Sequence, residues 1–104
     1  MKRVRDRLEE SWTGATLGDL AKEAGCHPIY LARMFRRAYG ESIGSYARRA
    51  RFTRAARAIA STDRETLSRI AMRMGYYDHS HLAHEFQTRT GMAPAEWRRL
   101  AAAS

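Results

Sequence analysis

Three histidines, His79, His81 and His84, crowd one short stretch, and the only cysteine, Cys26, stands beside the fourth, His27. Imidazole and thiolate are common zinc ligands and common partners in nucleophilic catalysis. The spacing argues against both roles. Metal-binding histidines on a helix sit three or four residues apart on one face. His81 and His84 meet that rule, but His79 faces elsewhere and no cysteine lies nearby. Cys26 follows a helix-ending glycine, where a free thiol more often serves as a small buried hydrophobe. No carboxylate pair, glycine-rich phosphate loop or triad spacing accompanies them. The expectation is a chain with no catalytic residues, no metal site and no cofactor, and not an enzyme.

The chemistry that remains is cationic. Nineteen Lys and Arg face eleven Asp and Glu over 104 residues, a net charge of +8, and all the cations except Lys2 and Lys22 are arginine. The guanidinium fork binds a phosphate or a guanine edge bidentately, which an ammonium cannot do. A basic surface can also be mere solvation, so the arginines must be placed on elements before they count. One cysteine excludes an internal disulfide and fits a reducing compartment. No run approaches the ~20 apolar residues of a membrane span, and no signal peptide opens the chain. A cytoplasmic domain without membrane contact is expected.

The elements come in a repeat. LGDLAKEAGCHPIYLARMF, from Leu17, is echoed by LSRIAMRMGYYDHSHLAHEF, from Leu67. Leu17, Leu20, Ala21 and Gly25 match Leu67, Ile70, Ala71 and Gly75 without a gap. The second copy then gains one residue before Leu31, Ala32, Phe35 and Gly40 match Leu82, Ala83, Phe86 and Gly91, and Tyr46 matches Trp97. Helical periodicity runs through nearly every segment, and no window alternates as a strand would. The spacing predicts helices over Lys2–Ser11, with Trp12 at its end, Leu17–Ala24, Pro28–Tyr39, Ile43–Ala60, Leu67–Met74, Asp78–Thr90 and Pro94–Ala101. Gly25, Gly40 and Gly91 are stop signals, Pro28 suits a first turn, and Asp78 is the expected N-cap of its helix. The fold class is all-α with seven helices, divided into residues 1–42, a linker helix over 43–61, and residues 62–104.

Each copy is a short helix, a glycine turn and a longer helix, the pattern of a helix-turn-helix. On the longer helix of the first copy, Leu31, Met34, Phe35 and Ala38 should bury. Ile29, Arg33 and Arg36, with Arg37 beside them, should face out. In the second copy Leu82 and Phe86 point in, while Ser80, His84 and Gln87, flanked by Ala83, point out. These are donors and acceptors of the kind that read base edges, and Ile29 would suit a thymine methyl. Tyr39, Tyr76 and Tyr77 are expected to pack in the core and turns.

The runs LAKEAG…YLARMFRRAYG, RFTRA and IAMRMGYYDHSHLAHEFQTRTGMAPAEWR resemble the DNA-binding domain of the AraC/XylS family of bacterial transcription regulators. The ending G-x-x-P-x-x-[YW]-R, here Gly91, Pro94, Trp97 and Arg98, is the most specific part. The resemblance implies two helix-turn-helix subdomains joined by the linker helix, with one recognition helix in each of two successive major grooves of double-stranded DNA. Such grooves lie ~34 Å apart, and the linker segment Ile43–Ala60 would be about 27 Å long. One chain would then read an asymmetric site as a monomer. By position the resemblance implies base contacts from Ile29, Ala32 and Arg33, and from His79, Ser80, Ala83 and His84, to which the outward Gln87 is added. Arg36, Arg37, Arg48 and Arg89 are the phosphate candidates.

It further implies activation through RNA polymerase and a place on the bacterial nucleoid. His27 and Ala93 stand where the family has small capping hydroxyls, which predicts helix starts that are frayed or capped differently. Leu82 replaces a usual Phe, and His84, Glu85 and Gln87 replace basic or small residues. The second half is therefore expected to bind more weakly than the first. The chain is either a stand-alone regulator or a domain of a longer one, and its start directly in a helix favours the second. The alternative function is a helical protein-interaction module whose basic face meets an acidic partner.

Overall fold

The computed structural model describes residues 1–10 and 16–103. Among them it contains seven α-helices and no strand: α1 (Lys2–Glu10), α2 (Leu17–Ala24), α3 (Pro28–Tyr39), α4 (Ile43–Ser61), α5 (Leu67–Arg73), α6 (His79–Thr90) and α7 (Pro94–Ala103). Ser11 and Trp12, where the first helix was expected to end, lie outside the described residues. The chain divides into two compact units, Met1–Ala50 and Arg51–Ser104, with the division inside α4.

The first unit buries Val4 and Leu8 from α1, Leu20 and Ala21 from α2, Leu31 and Phe35 from α3, and Ile43, Tyr46 and Ala47 from α4. Phe35 is the hub of its aromatic packing, with ring centroids 4.8 Å from Tyr39 and 5.4 Å, edge-on, from Tyr46. The Tyr46 hydroxyl donates to Glu9. Burial, helped by that carboxylate, pushes the phenol up to about 12. Ala38, expected on the buried stripe, is exposed, and Met34 is half-buried. The inward face of α3 thus narrows to Leu31 and Phe35.

The second unit buries Ala55, Ala56, Ile59, Ile70, Ala71, Tyr76, Leu82 and Phe86. Phe86 lies 4.6 Å from Phe52 and 5.9 Å, edge-on, from Trp97. Here the G-x-x-P-x-x-W-R ending acquires a physical account. Gly91 ends α6 in the left-handed region, at φ 77°. The Thr90 hydroxyl accepts from the Met92 N–H at 3.2 Å and donates to the Phe86 carbonyl at 2.7 Å, which ties the turn without a hydroxyl at position 93. Pro94, fully buried, opens α7 where a missing N–H has no consequence. Trp97, half-buried, packs its ring against the core and donates Nε1–H to the Ala56 carbonyl at 3.0 Å. Arg98 donates from Nε to the Ile59 carbonyl at 3.1 Å and from Nη2 to the Glu65 carbonyl at 2.9 Å. The last carbonyls of a helix have no partner within it, so Arg98 closes the end of α4 and fastens the loop that leads to α5.

Removing that fork leaves two partly buried carbonyls unpaired. Arg98→Ala should therefore lower stability by about 1–3 kcal/mol in urea unfolding. Arg98→Lys should recover less than half, because one ammonium cannot span both carbonyls. An unchanged urea midpoint for the alanine variant would show that water replaces the fork at no loss.

Candidate nucleic-acid interface

The two short helices end in the same way. Gly25 takes φ 72° and Gly75 φ 90°, a left-handed conformation that glycine adopts without a Cβ clash. Across each glycine the backbone forms the paired bonds of a Schellman turn. Cys26 N–H reaches the Ala21 carbonyl at 3.0 Å and Gly25 N–H reaches Lys22 at 3.2 Å; Tyr76 N–H reaches Ala71 at 2.9 Å and Gly75 N–H reaches Met72 at 3.3 Å. The residue after each glycine packs on the adjacent core: Cys26 half-buried on the first, Tyr76 buried in the second.

Caps then fix where the helices start. Thr16 and Asp19 form a reciprocal capping box at α2, with bonds of 3.0 and 3.1 Å. The Thr16 backbone N–H, followed by its hydroxyl, holds the Asp19 carboxyl below its ordinary 3.8. Its contribution to α2 is thus present above that ordinary value and lost as pH falls through the lowered one. Thr66 caps α5 by accepting from Arg69 N–H at 3.1 Å. Asp78 caps α6 by accepting from His81 N–H at 2.8 Å. The start of α3 is capped differently, as one arm of the expectation had it: the His27 imidazole supplies the cap, its Nδ1 accepting from Ile29 N–H at 3.2 Å.

With starts and stops fixed, the outward positions follow. On α3, Ile29, Arg33, Arg36 and Arg37 are exposed and Ala32 is half-buried. On α6, His79, Ser80, His84 and Gln87 are exposed and Ala83 is half-buried. Arg48 is exposed on α4. Among the described residues, Arg33, Arg36, Arg37 and Arg48 have no carboxylate partner, so their forks remain available to an anion. Two other candidates are engaged within the fold. The Gln87 amide donates to the Gly91 carbonyl at 3.3 Å. Arg89 pairs with Glu85 at 3.4 Å and stacks over the Phe52 ring at 5.4 Å.

Sequence reasoning missed Glu85, Tyr30 and Tyr77. Glu85 reads from the sequence only as a departure from basic or small residues, yet it is turned inward with a side chain only 12% exposed. It accepts from the Tyr76 hydroxyl and meets Arg51 at 3.8 Å as well as Arg89. Arg51 in turn lies 4.2 Å over the Tyr76 ring. Burial, then the Glu85 bond, drives the Tyr76 phenol well above its usual range. Tyr77, expected to pack, is 86% exposed, and Tyr30 on the first turn of α3 is 56% exposed beside Ile29 at 57%. Among the described residues no three His, Cys, Asp or Glu side chains gather where they could hold a metal ion, and no helix is long and apolar enough to cross a membrane.

Two capped helix-turn-helix motifs with exposed, chemically distinct second helices define a class, and comparison with known proteins agrees with it. The helix-turn-helix domain family matches residues 20–100. The HTH-type transcriptional activator AarP of Providencia stuartii is 29% identical over 83 residues, which cover 80% of this chain and 61% of AarP. Regulatory protein SoxS of Escherichia coli K12 is 32% identical over 79 residues, covering 76% of this chain and 73% of SoxS. The C-terminal domain of AraT, a response regulator from Geobacillus stearothermophilus, superposes with a TM-score of 0.84 at 27% identity, over 95% of this chain and 83% of that one. A probable AraC family transcriptional regulator from Rhodopseudomonas palustris CGA009 shares the fold, with a TM-score of 0.80 at 23% identity over 96% of this chain and 94% of that one. The chain belongs to the AraC/XylS family of transcription regulators, and it carries that family's sequence-specific DNA-binding domain.

Glu85→Gln keeps the shape of the side chain and removes the charge that holds Arg51 and Arg89. It should lower the stability of the domain by about 1–3 kcal/mol in urea unfolding. On random-sequence duplex the released arginines should steepen the salt dependence of binding by up to about one unit of log–log slope. A variant with wild-type stability and slope would remove Glu85 from the centre of this network.

Proposed function

We propose that this chain reads two successive major grooves of an asymmetric operator as a monomer, α3 entering one groove and α6 the other, and that it activates transcription by engaging RNA polymerase in the bacterial cytoplasm, on the nucleoid. In this reading residues 1–42 and 62–104 are the two helix-turn-helix subdomains and residues 43–61 the linker helix. One observation carries it: a single chain displays two separately capped second helices whose outward residues differ in kind. α3 offers a methyl-seeking Ile29 and the unpaired forks of Arg33, Arg36 and Arg37. α6 offers His79, Ser80 and His84, which exchange hydrogen bonds without a fixed charge. Unlike faces select unlike half-sites, which is why a palindrome is not expected.

The roles divide by chemistry. Arg33, with Ile29 and Ala32, reads bases in the first groove, where an Arg–guanine pair discriminates by ~1–3 kcal/mol. His79, Ser80, Ala83, His84 and Gln87 read the second. Arg36, Arg37, Arg48 and Arg89 hold phosphates, which position the domain without selecting sequence. The first half contributes more of the affinity. Its candidates Arg33, Arg36, Arg37 and Arg48 have no carboxylate partner among the described residues, whereas Arg89 is already paired with Glu85.

Selection from a randomised duplex pool at near-physiological salt tests the whole reading. Two unlike elements about one helical turn apart are expected. A single element would confine base reading to one helix, and no enrichment would return the domain to the protein-interaction alternative. On the selected duplex, Arg33→Ala should lose far more affinity than on random DNA. Arg36→Ala should weaken both alike and flatten the salt slope by about one unit. Equal losses for Arg33→Ala on both duplexes, or an unchanged slope for Arg36→Ala, would contradict the respective role.

A further inference from the structure

The two motifs differ in length by one residue, and the backbone identifies which one. Up to the turn the copies run in register 50 residues apart, since Cys26 N–H to Ala21 O matches Tyr76 N–H to Ala71 O. From the cap onward the register is 51, since Leu31 N–H to His27 O matches Leu82 N–H to Asp78 O. The surplus residue is Tyr77. Tyr76 takes the place of Cys26 on the core, so the inserted tyrosine has no place left inside, and among the described residues none of the other exposed large apolar side chains is as open to solvent.

Tyr77 is nevertheless held in position. Its N–H donates to Nδ1 of His81 at 3.3 Å, and the His81 ring meets the Tyr76 ring edge-on at 5.1 Å. The next residue, Asp78, caps α6. An exposed aromatic ring therefore projects from an ordered turn at the N-terminal end of α6, the end of a recognition helix that approaches base edges. A helix N-terminus also favours negative charge nearby. Exposed His79 and Ser80 flank the same end.

Tyrosine has an apolar body and a polar tip, and suits a surface that is apolar along one edge and polar at the other. The rim of a DNA groove has that character. Deoxyribose and the thymine methyl can take the ring, and a phosphate oxygen can accept from the hydroxyl. We infer that Tyr77 is a DNA-contacting residue, its ring packed on sugar and methyl groups at the rim of the groove that α6 enters and its hydroxyl bonded to a phosphate. This rests on the two-groove reading of the domain. It adds to the second half an uncharged contact that compensates for the scarcity of free arginine on α6.

Because Tyr77 carries no charge, its loss has a signature that separates it from an arginine. Tyr77→Ala should bind the selected duplex about tenfold more weakly, the loss of roughly one good contact, with a salt slope equal to wild type. Tyr77→Phe, which keeps the ring, should fall between the two. Both variants should keep the wild-type urea midpoint, since the side chain is 86% exposed. Wild-type affinity of Tyr77→Ala for the selected duplex overturns the inference. So does a variant that binds DNA normally but fails to activate RNA polymerase in reconstituted transcription, which would assign the ring to a protein partner. A loss accompanied by a lowered urea midpoint in both variants overturns it in favour of a folding role. If the wild-type chain enriches a sequence and Arg33→Ala loses it while Tyr77→Ala does not, Tyr77 alone is removed. A wild-type chain that enriches nothing removes the two-groove reading and this inference together.

Discussion

Both halves of this domain depend on one backbone bond, the reach of an N–H across a left-handed glycine to the carbonyl five residues upstream. Cys26 to Ala21 and Tyr76 to Ala71 are the two instances. Helices of eight and seven residues are too short to persist alone in water. α2 and α5 persist because a cap closes the front, this turn closes the back, and two residues of each are buried. The carbonyl that accepts the bond belongs in both cases to a buried alanine, so the turn and the close packing of the short helix are made by the same residue. Once the turn is fixed, the start of the second helix is fixed, and with it the azimuth of every outward side chain.

Around that shared frame the two halves solve the same problem with different side chains. The first half surrounds its core with aromatic rings covered by guanidinium groups, Arg5 over Tyr39 and Arg49 over Tyr46. The second gathers Glu85, Tyr76, Arg51 and Arg89 into a polar cluster at the edge of its core. A carboxylate this far from water requires several donors, and it finds them on the turn, on α4 and one turn along its own helix. The arrangement also ties up Arg89, which is paired with its neighbour Glu85. The first half has no such internal acid on α3, and Arg33, Arg36 and Arg37 of that helix have no carboxylate partner among the described residues.

Much of this was legible in the sequence for a physical reason. Glycine stops, the proline start, the Asp78 cap and the Leu31/Phe35 and Leu82/Phe86 pairs are local, and local chemistry is written in consecutive residues. What escaped was non-local or depended on competition for space. Glu85 reads from the sequence only as a departure from basic or small residues, because the helical wheel does not contain Arg51 or Tyr76. Ala38 looks inward by its spacing from Leu31 and Phe35, but it lies beyond the reach of the core. Tyr77 looks like a core residue by composition, yet the core had already accepted its neighbour. His27 looks like a missing cap until its ring nitrogen is seen to do what a serine hydroxyl does. The base-reading roles come from resemblance and from face, and the structure shows of them that Ile29 and Arg33 on α3 and His79, Ser80 and His84 on α6 are exposed.

The separation of labour on α3 has an evolutionary reading. Leu31 and Phe35 carry the burial of that helix, while Ile29, Arg33, Arg36 and Arg37 are exposed. Substitutions at such positions usually change stability by less than about 0.5 kcal/mol. On the proposed base-reading roles, the lineage can therefore revise which operators it visits without first acquiring a more robust scaffold. Paralogues carrying this frame can diverge in target within a few substitutions, each of them compatible with a folded ancestor.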